Sequence, residues 1–123
     1  MDRPTRQEQA RAILERQARR LASQSLGRRA TSTADFEEAF NLEMMDLHAE
    51  IPDKMALLRL GRNLVGPRDG LYILDDGESF RVYLQEKGET YQGYRGLDFE
   101  TARSVVIDLV IQLDGLPFTP PGI

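Results

Sequence analysis

The sequence predicts an α+β fold: an antiparallel two- or three-stranded meander packed against a long C-terminal apolar helix, with two to three helices ahead of it. Three observations carry this. Residues 71–74 and 80–84 are aliphatic and aromatic runs joined by Asp75-Asp76-Gly77-Glu78, and Asp-Gly between such runs signals a tight hairpin because both residues tolerate positive φ. Residues 99–114 are apolar around most of a helical circumference. Ahead of the hairpin, apolar residues recur at helical spacing rather than in alternation.

In chain order, residues 4–26 read as a first helix with Ala10, Leu14, Ala18, Leu21 and Ala22 along one stripe. Alanine buries little area per turn, so this helix packs loosely, on a partner chain or on the acidic helix that follows. Residues 27–33 are a polar connector. The second helix starts near Ser32 or Thr33 and places Asp35, Glu37 and Glu38 in its first turns, where the helix dipole favours anions. Its apolar stripe is Phe36, Phe40, Met44, Leu47 and Ile51, and Pro52 breaks or kinks it. A shorter helical segment follows from Asp53, with Met55, Leu58 and either Leu57 or Leu60 inward. Residues 66–70 are a loop leading into the first strand.

Phe80, Val82 and Leu84 share one face of the second strand while Arg81 and Tyr83 take the other. That period of two predicts a sheet with one covered face. Lys87-Gly88-Glu89 reads as a second turn. Residues 90–94 then form a short third strand, interrupted by Gly93 and ended by Gly96, glycines of the kind that mark bulges. Asp98 is placed to cap the last helix and Gly115 to end it in a left-handed conformation. Glu100, Ser104, Asp108 and Gln112 make a single polar stripe along it, and the remaining apolar surface requires cover on more than one side. Three prolines make residues 116–123 an extended tail laid over the surface.

A chain of 123 residues reads as a single domain, divided into a basic N-terminal helix (1–29), an acidic helical region (32–64), the meander (71–96), the core helix (98–114) and the tail (115–123). There is no cysteine and no apolar run long enough to span a bilayer, and the basic, helical start does not resemble a secretory signal. Cytoplasmic residence, without membrane contact, is the expectation. The net charge of −4 is unevenly spread: residues 1–29 hold eight arginines against three carboxylates, and the remainder holds eight basic residues against seventeen acidic ones.

His48 is the only histidine, with Glu43, Asp46 and Glu50 near it in sequence. A lone histidine on an amphipathic helix, with no cysteine and no serine in an elbow, does not build a nucleophilic triad or a zinc site. Asp75, Asp76 and Glu78 lack the twelve-residue spacing of a calcium loop, and neither glycine-containing loop matches a phosphate-binding fingerprint. Neither metal nor cofactor is expected, and the chain reads as no enzyme. The arginines of residues 1–29 lie around their helix rather than on one face, which makes nucleic acid a poor partner and a helix complementing the acidic body the better reading. The acidic residues Glu37, Glu38, Asp46 and Glu50, with Asp75, Asp76 and Glu78 at the hairpin tip, are the candidate partner contacts. Together they would steer a basic protein.

Gly70-Leu71-Tyr72 leading to Asp76-Gly77, Phe80-Arg81-Val82-Tyr83 leading to Glu86-Lys87-Gly88, and Phe99-Glu100-Thr101-Ala102 opening an apolar helix resemble the small bacterial immunity proteins that neutralise polymorphic or contact-dependent toxins. The resemblance covers residues 70–114, and the arginine-rich first helix lies outside it. It implies a non-enzymatic inhibitor that caps a cognate toxin's active site or blocks substrate entry, with no catalytic residue. Three other readings compete with it: an acidic secretion chaperone or adaptor for an effector, a nucleic-acid binder using the arginine arm, and an enzyme using His48 with Glu50 or Asp46.

Overall fold

Both long helices expected in the N-terminal half are broken once, and each break has a hydrogen-bonded cause. The structure, a computed structural model, describes residues 3–122, so residues 1 and 2 of the basic arm and residue 123 of the tail lie outside it. The described residues form six helices and a three-stranded antiparallel sheet, the α+β class that the sequence predicts. They fall into two compact units, one of residues up to 50 with those from 110 on, the other Ile51–Leu109. Among the described residues no helix is long and apolar enough to cross a membrane.

In the first unit, α1 (Arg6–Leu14) opens with a capping box between Thr5 and Glu8. It does not continue to residue 26. Arg16 adopts φ 61°, its N–H donates to Ile13 O at 3.2 Å, and the Gln17 N–H donates to Ala12 O at 2.7 Å. These two bonds are the Schellman helix stop, with arginine in the left-handed position where glycine usually sits. The chain restarts as α2 (Ala18–Leu26) and ends at Gly27. Of the expected stripe, Ala10, Leu14, Ala18 and Ala22 are buried, whereas Leu21 is only half-buried.

The second break separates α3 (Thr33–Ala39) from α4 (Met44–Ala49). Its cause lies in α1. Gln9 is fully buried, and its Oε1 accepts from the backbone N–H groups of Asn41 and Leu42 at 2.9 and 3.0 Å. Its Nε2 donates to Pro4 O at 2.8 Å and Asn41 Oδ1 at 2.9 Å. Only one orientation of the amide satisfies all four partners, and it uses the full capacity of the group. The connector between the helices therefore bonds to Gln9, and Phe40 is extended at φ −117° and ψ 144°. Phe36, Phe40, Met44, Leu47 and Ile51 are all buried, so the stripe holds although the helix does not. The tail is clamped onto the same helices. Phe118 lies 6.2 Å from both Phe36 and Phe40, Thr33 Oγ1 donates to Pro117 O, and the Met44 N–H donates to Pro121 O at 2.7 Å.

In the second unit Asp53 caps α5 (Lys54–Leu58), which buries Leu57 but leaves Met55 63% exposed, contrary to the inward position expected for it. A helix of five residues is too short for its spacing to define one buried stripe. The sheet runs β1 (Gly70–Asp75), β2 (Phe80–Glu86) and β3 (Glu89–Leu97), in that order and antiparallel throughout. The hairpin turns fall at Gly77 and at Lys87-Gly88, each with positive φ. β3 is longer than residues 90–94 because it survives two bulges. Between the pairs Leu84–Tyr91 and Val82–Tyr94, and again up to Phe80–Leu97, three residues of β3 oppose two of β2. Gln92 and Gly96 take positive φ there.

β2 alternates over its first four residues, with Phe80 and Val82 buried and Arg81 and Tyr83 partly exposed, whereas Leu84, expected on the covered face, is only half-buried. β1 is buried from Leu71 through Leu74, because its other face carries a folded loop. Finally α6 (Phe99–Leu113) is capped by Asp98, whose Oδ1 accepts from the Thr101 N–H at 2.8 Å. Glu100, Ser104, Asp108 and Gln112 are all exposed along it, while Leu113, counted with the apolar surface, is 40% exposed. Its stop repeats the geometry at Arg16 with Gly115 at φ 63°: the Gly115 N–H donates to Gln112 O and the Leu116 N–H to Ile111 O.

Two stability predictions follow from the breaks. Arg16→Gly relieves a side chain from the left-handed region and is expected to raise the unfolding free energy by about 0.5–1 kcal/mol in chemical denaturation. Gln9→Leu removes four hydrogen bonds and strands amide and carbonyl groups around a buried site. It is expected to lower the same quantity by about 3 kcal/mol, and an unchanged denaturation midpoint would contradict that role.

Candidate binding surface

The carboxylates marked by the sequence separate by the work they do. In the first unit Asp46 Oδ2 accepts from the Glu43 N–H at 2.7 Å in a capping box and pairs with Arg6 NH2 at 2.7 Å. Glu50 pairs with Arg11 at 3.1 Å, and Glu38 with Arg28 at 3.4 Å, while Arg3 donates to the Glu38 carbonyl at 3.0 Å. Asp35 holds the start of α3 and also pairs with Arg28. Glu37 is exposed with no ion pair among the described residues. In the second unit Asp75 pairs with Lys54 at 2.8 Å and accepts from the Gly77 N–H at 2.9 Å. Asp76 takes Arg81 through two bonds of 2.8 and 3.1 Å, and Glu78 is exposed.

The basic arm thus folds back on the acidic helices of its own unit. Each unit ends with eight basic against ten acidic residues in sequence, so the strong charge asymmetry of the linear chain is absent from both. Pairs this exposed are screened and add little stability. Their consequence is to occupy most of the carboxylates a partner would otherwise meet. His48 lies half-buried on α4, and among the described residues no group of three or more His, Cys, Asp or Glu side chains is placed to hold a metal ion.

A different surface is built on the second unit. The segment 61–69 folds over the outer face of β1. Gly61 approaches so closely that a Cβ there would lie 2.8 Å from Leu71 O. Next to it Arg62 pairs along the strand edge, donating to Leu71 O at 2.8 Å and accepting from the Ile73 N–H at 2.9 Å. Asn63 Nδ2 reaches Leu58 O and Ile73 O at 2.9 and 3.1 Å. Further on, Gln85 Nε2 donates to Gly66 O at 2.8 Å and Arg68 O at 3.0 Å, and the Tyr72 hydroxyl lies against both carbonyls. The Lys87 N–H donates to Asp69 Oδ1 at 2.9 Å.

Held this way, the segment presents Leu64 and Val65 at 83% and 70% exposure. Val65 forms one wall of a groove of about 310 Å³ on the sheet, whose floor and far wall come from Arg81, Tyr83, Thr90, Tyr94 and Arg95. Tyr83 is stacked on buried Tyr72 with ring centroids 4.8 Å apart and planes 7° from parallel. Burial, then the neighbouring Tyr72, push the Tyr83 phenol above its ordinary range, so it stays a neutral donor. Arg81 is oriented by Asp76. Arg95 has no ion pair among the described residues. The outer edge of β3 is a poorer site, because bulges at Gln92 and Gly96 disrupt the regular ladder that strand addition needs.

Comparison with protein-family models, with curated proteins and with solved structures returns no match. The surface therefore has to be read from its own chemistry. Sequence reasoning placed residues 66–70 in a loop but did not single out Leu64, Val65, Tyr94 or Arg95. The available signal was an apolar pair directly before Gly66-Pro67 that belongs to no periodic stripe.

The paired carboxylates make stability depend on pH with a definite sign. The Thr31 amide, then Arg28 and the Ser32 amide, hold the Asp35 carboxyl below its ordinary value of 3.8; the Glu43 amide and Arg6 do the same for Asp46. Both groups bind protons less readily folded than unfolded. Their contribution is complete above the unfolded value and is lost as pH falls through the folded ones. Melting temperatures followed by circular dichroism should fall as pH drops below about 4, and Asp35→Asn should flatten that fall. A melting temperature that rises in acid would contradict the assignment.

Proposed function

We propose that this chain is a non-enzymatic binding protein of the immunity type, which neutralises a cognate bacterial toxin domain by covering it. The observation that supports this most is the pinned segment 61–69. Large apolar side chains cost free energy in water, and a loop free to move would turn them inward. Leu64 and Val65 stay out because the segment on either side of them is bonded to the strands, Asn63 Nδ2 to the Ile73 carbonyl of β1 and the Gly66 and Arg68 carbonyls to side chains of β1 and β2. A rigid apolar tip beside a groove of tyrosine and arginine has the composition of an interface centre, where anchoring residues are aromatic or arginine and loss of water supplies the energy. A preformed surface also avoids the ordering cost that weakens flexible binders.

This reading moves the contact from the acidic helices to the loop and sheet of the second unit. Asp46, Glu50, Asp75 and Asp76 are occupied by internal partners, leaving Glu37 and Glu78 as the predicted contacts without an ion pair among the described residues. Steric cover is the mode of action, with electrostatics setting the approach.

The test is co-expression with the C-terminal domain encoded by the immediately upstream gene. Restored growth and co-purification of a complex are expected. Leu64→Asp with Val65→Asp should weaken that complex by about tenfold or more while leaving the melting temperature unchanged, since both side chains are already exposed. Failure of the neighbouring domain to bind, or binding indifferent to both substitutions, would overturn the proposal.

A further inference from the structure

We infer that the groove between Val65 and β3 receives an extended protein segment carrying a carboxylate, with Arg95 as the cation that pairs with it. The inference rests on the binding role proposed above and specifies the chemistry of the partner at the contact. The groove's lining contains two guanidinium groups and no carboxylate. One of them, Arg81, is already held through two bonds to Asp76, which leaves it fixed and largely neutralised. Arg95 stands on an exposed strand beside Tyr94 and has no ion pair among the described residues. The one charge this groove lacks is negative.

The other lining groups suit a peptide. Tyr83 and Tyr94 provide aromatic wall, Thr90 a hydroxyl, and a Cβ added at Gly93 would lie 3.7 Å from Thr90 Cγ2 and 3.9 Å from Tyr83 Cβ, in ordinary contact with both. Val65 stands beside them as an exposed apolar contact. A guanidinium–carboxylate contact is charge-assisted, and the planar fork of the guanidinium orients the carboxylate it takes.

An arginine and tyrosine groove is also a way to hold single-stranded nucleic acid. That use needs a run of cations tracking a phosphate backbone, and here one guanidinium of two is spent on Asp76, in a unit with eight basic and ten acidic residues. The apolar tip has no role on a phosphate chain. A protein segment fits both features.

The experiment is an amide-resolved NMR titration of the full chain with three probes. These are a capped hexapeptide alternating leucine or phenylalanine with aspartate, the same peptide with asparagine for aspartate, and an oligonucleotide of thymidines. At millimolar peptide the aspartate probe should shift the amides of Val65, Gly93 and Arg95, and the asparagine probe should bind about tenfold more weakly. Arg95→Glu should abolish the difference between the two peptides, and Arg95→Lys should keep most of it, with melting temperatures unchanged in both variants. Groove amides that do not move, equal response to both peptides, or preference for the oligonucleotide would each overturn the inference. Response to the aspartate probe without capture of the upstream-encoded domain retains this groove chemistry and removes the immunity reading. Capture of that domain unaffected by Arg95→Glu does the reverse.

Discussion

Two backbone carbonyls, Gly66 O and Arg68 O, decide what the second unit shows to its surroundings. Both accept from Gln85 Nε2, and both lie against the Tyr72 hydroxyl. A hydroxyl has one proton, so Tyr72 donates to Arg68 O, the nearer of the two, while the two amide hydrogens of Gln85 serve both. Tyr72 is itself fixed by stacking on Tyr83 and by burial. Strand side chains therefore dictate the path of a loop that contains no regular structure. The same bonds that cover β1 leave Leu64 and Val65 outward, so exposure of these two residues is a consequence of satisfied hydrogen bonds rather than of poor packing.

The first unit solves a different problem. Its helices are short and its first two are alanine-rich, so tertiary polar contacts set where each one stops. One buried carboxamide, Gln9, supplies the donors and acceptors that the α3–α4 connector would otherwise lack. Around it the arginines of α1 and of the connector after α2 meet the acids of α3 and α4. This arrangement pairs Asp35, Glu38, Asp46 and Glu50 with arginines of the same unit and leaves Glu37 exposed.

How far the fold is legible in the sequence follows from how local each signal is. Asp98, Gly115 and the polar stripe of α6 act within one helix, and all three read correctly. Hairpin turns are local as well. Breaks in the long helices are not: Gln9 acts on residues 41 and 42 through the fold, and Arg16 occupies a position where only glycine would have announced a stop. Arg6 and Asp46, or Arg11 and Glu50, lie some forty residues apart, so the carboxylates are visible in the sequence but their neutralisation is not. The groove is hidden for the same reason. Val65, Tyr83 and Arg95 come together only through β1, β2 and a bulged β3.

Hydrogen–deuterium exchange of this chain with and without the domain encoded by the immediately upstream gene reads directly where such a partner lands. Slowed exchange confined to segments 61–69 and 89–97 is the predicted result. Protection of segments 35–50 instead, with the loop and third strand unchanged, would contradict it and return recognition to the acidic helices.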